Sequence, residues 1–281
     1  MWKKMTCKKV IKSAAVQTLL WYAVLFICSC NRITGWAVPF LISDEQEVEL
    51  GNKFRAEIDK DTVTYPHFHG NQRISRFVDS IGQRIASLQK DRDTLTFTFT
   101  VLEDTSINAF AIPGGHVYVN TGLLENADNM AEVAGVIAHE IGHITQYHGR
   151  DMFLRQEAFN GASSILFGDS ASLASALATM VGNMTFLKYS RDNEFEADSC
   201  TVAYTTLTNV NPIGMRNFLQ KLKNRYGDDL PVFEPFSTHP SLEDRIDRVK
   251  EVISEVPGAS MDSDTLLFED EYAVIRSLLQ G

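Results

Sequence analysis

Two histidines four residues apart, with a glutamate beside the first, make His139-Glu140-Ile141-Gly142-His143 the most chemically suggestive segment of this chain. On a helix, side chains four apart lie about 40° apart around the axis and one turn up. Both imidazoles would then project from one face and could bind a single ion. Glu140 is turned by about 100° from His139, so it stands beside that ion rather than on it. A base acting on zinc-held water belongs there. Chance alone gives this three-residue pattern in roughly one chain of this length in a hundred, so the motif needs a third ligand.

Zinc in a catalytic site takes three protein ligands and leaves the fourth place for water. The segment Arg191-Asp192-Asn193-Glu194-Phe195-Glu196-Ala197-Asp198 offers candidates on a second helix-compatible stretch. Glu194 and Asp198 share one face there. Glu194 can complete the set with His139 and His143, while Asp198 accepts the outer N–H of a ligating imidazole. Glu196 points elsewhere and reads as a solvated charge. His148 lies nine residues beyond His139, about 180° around a continuous helix, so a surface or capping role is expected. His67, His69 and His116 lack a partner at ligand spacing and are expected in surface or loop positions. Cys200 is expected to be a buried thiol rather than a nucleophile.

The elements that must hold these residues can be read from periodicity. Asn129, with Glu132 three residues on, marks the start of the motif helix, and Val133, Val136, Ile137, Ile141 and Ile144 give it apolar contacts. Helices are expected over residues 44–60 and 74–88 from their apolar stripes. Leu95, Phe97, Phe99 and Val101 alternate with threonines, as in a half-buried strand. Asn108-Ala109-Phe110-Ala111-Ile112 and His116-Val117-Tyr118-Val119 read as two more strands, joined by a turn at Pro113-Gly114-Gly115. Residues 161–184 are rich in small side chains, which suit close helix packing or a membrane surface. The fold class expected is α+β, helix-dominated, with one small sheet.

The chain has 281 residues and a net charge of −10, which argues against a nucleic-acid surface. Lys3, Lys4, Lys8, Lys9 and Lys12 precede a mostly apolar run over residues 14–30, the pattern of a secretory signal, with an uncleaved membrane anchor as the alternative. Ile27-Cys28-Ser29-Cys30 resembles a bacterial lipoprotein processing site in which Cys30 is acylated; otherwise the two cysteines merely end an apolar helix. The expected organisation is a signal over 1–30, a tether over 31–44, a zinc-site domain over 45–255 and a C-terminal extension over 256–281.

Taken together, these motifs resemble the gluzincin peptidases of the HtpX, BepA and CAAX-prenyl-endopeptidase superfamily. Ser190-Arg191 before the glutamate segment matches that group, as does Thr238-His239-Pro240 followed by Arg245. The resemblance implies a zincin-like fold with an HExxH helix, one Zn2+ per chain and endopeptidase activity. It implies that His239 sits near the metal, either polarising the substrate carbonyl or plugging the open place in a latent state, with Arg245 supporting the same region. It implies that Asn108, Ala109, Phe110 and Ala111 form an edge strand lining the cleft. The small lipoprotein-like branch matches best, so the expected setting is the periplasmic side of the cell envelope. The expected substrates are unfolded or misassembled proteins. A membrane-anchored zinc-containing chaperone without turnover is the competing class, and Glu140 argues against it because a structural site needs no base.

Overall fold

A computed structural model of the protein describes residues 43–88, 92, 94–159, 189–227, 241–259 and 266–280. The leader with Cys30, the stretch 161–184 and Thr238-His239-Pro240 lie outside the described residues.

Helix α1 (Asp44–Lys60) starts at a capping box, in which the Ser43 hydroxyl accepts the Gln46 N–H and the Gln46 side chain accepts the Ser43 N–H. Helix α2 (Gln72–Ala86), capped by Asn71, buries the stripe Ile74, Val78, Ile81 and Ile85. Strands β1 (Thr98–Leu102), β2 (Ala109–Ile112) and β3 (His116–Asn120) form one sheet in the order β1-β3-β2. β3 runs parallel to β1 and antiparallel to β2, which leaves β2 at an edge. The first strand starts later than its alternation suggests: Leu95 and Phe97 are buried but precede it, and only Val101 and Leu102 of β1 itself are buried. The turn between β2 and β3 needs its glycines, because Gly114 and Gly115 have φ of 85° and 99°.

Beyond the sheet come α3 (Thr121–Asn126), α4 (Met130–Thr145), α5 (His148–Phe159), α6 (Arg191–Leu207), α7 (Ile213–Tyr226), α8 (Leu242–Glu255) and α9 (Glu269–Leu279). Helix α4 is the axis of the molecule. Asn129 caps it by accepting the Glu132 N–H at 3.0 Å, and every residue from 131 to 145 is buried. It packs on α6, α7 and the edge strand β2. Gly142 allows the close approach to α6: a Cβ there would lie 3.1 Å from the Cys200 Cβ and 3.3 Å from Ala197 backbone atoms. Helix α9 closes the far side, with Tyr272 and Ile275 in the main core. Among the described residues no helix is long and apolar enough to cross a membrane.

Candidate active site

The close crossing of α4 and α6 at Gly142 brings the two candidate segments together. Ser190 caps α6 by accepting the Asn193 N–H, so Glu194 falls in the first turn, where the helix dipole favours a carboxylate. Nε2 of His139 and Nε2 of His143 lie 3.0 Å apart. Glu194 faces both, with Oε2 3.3 Å from His139 Nε2 and Oε1 3.4 Å from His143 Nε2. Exposure of the three is 4%, 2% and 0%. Among the described residues this is the cluster that could hold a metal ion.

The donor spacing can be tested against zinc. Ligand atoms ~2.0–2.2 Å from a tetrahedral ion sit about 3.3 Å from one another. The separations above match that edge length. Charge points the same way. Glu140, Glu194 and Asp198 bring three buried carboxylates against the one guanidinium of Arg245, an excess suited to a divalent cation. Burial and Arg245 both push the His139 pKa down, yet the hydrogen bonds that its ring donates to Asp198 and Glu194 carry it up to about 9. The pocket attracts positive charge, and these residues fit a zinc ion.

Glu140 stands beside the cluster, 9% exposed. Burial raises its carboxyl to about 7, with Glu194 adding to the shift while His139 and Arg245 oppose it. A carboxyl in that range is matched to proton transfer near neutrality. Its carboxylate accepts the Ala111 N–H, which ties it to the edge strand. The Asn120 N–H donates to the Asn108 carbonyl at 3.0 Å, so even-numbered residues of this segment turn their backbone polar groups toward β3 and Ala109 and Ala111 turn theirs outward. Asn108 is partly buried, whereas Ala109, Phe110 and Ala111 are all buried.

Asp198 lies one turn after Glu194. Its Oδ1 is 3.1 Å from His139 Nδ1, and Arg245 holds both its oxygens. Burial alone would raise the Asp198 pKa, but Arg245 and His139 outweigh it and keep the group ionised. Arg245 also lies 3.4 Å from Glu194 Oε2. His239 is outside the described residues.

Three placements differ from expectation. His148 is 4% exposed and meets His143, Nδ1 to Nδ1, at 2.9 Å. The reason is that α4 stops at Thr145 and Tyr147 takes a left-handed φ of 64°, so the chain turns back instead of continuing around the helix. Glu196 accordingly is no solvated charge, since its Oε2 is 3.3 Å from His148 Nε2. His116 is 4% exposed in the central strand, bonded through Nδ1 to the Thr98 hydroxyl at 2.8 Å. Sequence reasoning also passed over Tyr189, whose ring stacks on His143 with centroids 3.9 Å apart and planes at 15°. Burial and the nearby Glu140 and Glu194 carboxylates drive the Tyr189 hydroxyl pKa far above its usual value. Its position just before Ser190-Arg191 was the available hint. Cys200 is buried against Gly142, as expected.

The model of a family described as peptidase family M48 matches residues 72–253. The beta-barrel assembly-enhancing protease of Escherichia coli is 26% identical over 260 residues, covering 88% of this chain and 52% of that protein. Its counterpart in Yersinia pestis is 29% identical over 247 residues, 83% and 49% of the two chains. A protease HtpX homolog of Streptococcus equi is 32% identical over 202 residues, covering 53% of this chain and 65% of the relative. The chain spans about half the length of the two beta-barrel assembly-enhancing proteases.

Proposed function

The chain belongs to peptidase family M48, and on that premise we propose that it is a zinc-dependent endopeptidase in which His139, His143 and Glu194 hold the ion and Glu140 is the general base. The observation that supports this most is the triangle of donor atoms at 3.0, 3.3 and 3.4 Å with a buried carboxylic acid beside it. Zinc, when bound, supplies a Lewis acid that activates water and polarises a carbonyl.

The chain's own residues do the rest. Glu140 takes the proton of the attacking water and delivers it to the leaving amine. The Ala111 N–H holds the Glu140 carboxylate against the edge strand while it does so. Asp198 fixes the His139 tautomer, and Arg245 keeps Asp198 ionised and in place. His239 is proposed either to polarise the substrate carbonyl or to plug the site in a latent state. His239→Ala separates the two, since loss of an electrophile lowers casein turnover and loss of a plug raises it.

An extended substrate chain would add to β2 through the outward backbone groups of Ala109 and the Ala111 carbonyl. The Ala111 N–H is already engaged, so the pairing would be shorter than the strand. Every residue of β2 is buried, so binding requires this edge to be uncovered. Recognition through backbone favours unfolded or misassembled proteins, and the names of the relatives support a role in envelope protein quality control. A lipid on Cys30, or an uncleaved anchor, would hold the enzyme at the membrane on the periplasmic side.

The test is casein turnover by zinc-loaded protein against Glu140→Gln. Loss of at least about a hundredfold is expected, the scale of general-base catalysis. Equal turnover in both, or none in either, would favour a zinc-containing chaperone instead.

A further inference from the structure

We infer that His148 and Glu196 form a relay that fixes the tautomer and orientation of His143, so that they position the second imidazole of the metal site. This rests on the zinc reading given above. The geometry assigns each nitrogen one role. His143 Nε2 lies 3.0 Å from His139 Nε2 and 3.4 Å from Glu194 Oε1, so it faces the ion and must present a lone pair. The His143 proton then sits on Nδ1 and donates to His148 Nδ1 at 2.9 Å. With Nδ1 accepting, His148 carries its own proton on Nε2, which donates to Glu196 Oε2 at 3.3 Å. Both ring protons of the relay thus have an acceptor.

The two metal-facing imidazoles are therefore supported differently. His139 meets the Asp198 carboxylate directly. On its outer side His143 meets the His148 imidazole, which in turn meets the Glu196 carboxylate. Tyr189, stacked on His143, limits rotation of that ring. The backbone is built to deliver His148. Tyr147, in its left-handed conformation, has the guanidinium carbons of Arg92 and Arg150 at 3.9 and 3.8 Å from its ring centroid. Two guanidiniums that near one centroid must sit on opposite faces, so the turn that aims His148 is clamped by stacked cations.

The experiment measures zinc affinity of the full chain by competition with a chromogenic chelator, and the visible spectrum of the cobalt-substituted protein. His148→Ala should bind zinc about 10–100-fold more weakly, the usual cost of losing an outer partner, and should alter the cobalt spectrum. His148→Asn puts Oδ1 where Nδ1 stood and accepts the same hydrogen bond, so its affinity should return close to wild type. Glu196→Ala should weaken binding in the wild-type background and add nothing to His148→Asn. Unchanged affinity and spectrum in His148→Ala would overturn the relay. So would His148→Asn losing as much as His148→Ala, which would mean that the ring matters only as filler. If His148→Ala does not fold, the asparagine and Glu196 variants decide alone. Wild type that binds no more zinc than Glu194→Ala would sink the metal site itself, and the relay with it.

Discussion

Arg245 grips both carboxylate oxygens of Asp198, Nη2 to Oδ1 at 2.7 Å and Nε to Oδ2 at 3.0 Å, and both side chains are fully buried. The pair joins α8 to α6 directly behind His139. Removing one member strands the other charge in the core. Arg245→Met should cost about 3–5 kcal/mol of folding stability in the metal-free protein, read by urea unfolding. The double variant Arg245→Met with Asp198→Asn should recover part of that loss, because the Asp198 charge is no longer stranded. Additive losses would mean that the pair is not the unit described.

The approach of α4 to α6 predicts a second cost. Gly142→Val forces a branched side chain against Ala197 and Cys200. Overpacking of this kind costs about 1–3 kcal/mol, and it should also push Glu194 away from the two imidazoles. Melting temperature and zinc stoichiometry should fall together. A variant that melts earlier yet binds zinc normally would separate the crossing from the site.

Acid stability should carry a signature of His116. Burial, then Arg55, depresses its pKa from 6.5 to about 4, although Asp59 pulls the other way. Between those values the unfolded chain takes up a proton that the folded protein refuses. Stability from this group is thus complete above 6.5 and drains away as pH falls toward 4, at up to about 1.4 kcal/mol per pH unit. His116→Gln should show a shallower loss over that window in denaturant titrations. Identical slopes would mean that His116 titrates normally in the fold.

Metal removal should reveal itself in the melting curve. A ligand at a thousand times its dissociation constant adds about 4 kcal/mol to the folded state. Chelation should therefore lower the melting temperature of wild type, and leave that of His139→Ala or Glu194→Ala unmoved.

How much of this was legible depended on whether spacing or tertiary turns did the placing. His139 with His143, and Glu194 with Asp198, are four apart on real helices, so their shared faces follow from helical geometry alone. Asn129 and the glycine turn after β2 also announced themselves by residue type. The His148–Glu196 contact did not. It depends on a left-handed Tyr147, a residue that gives no local sign of breaking a helix and is held there by Arg92, far away in sequence. His116 was missed because nothing in a five-residue strand says which of its faces is covered, and here both are. Both failures concern polar groups buried by distant partners.

The most direct measurement is anomalous X-ray scattering recorded on either side of the zinc edge from crystals of the zinc-loaded chain. One strong peak per chain is expected, about 2 Å from the ring nitrogens of His139 and His143 and from a Glu194 oxygen. A peak elsewhere, or none at that place in protein that carries zinc, would contradict it.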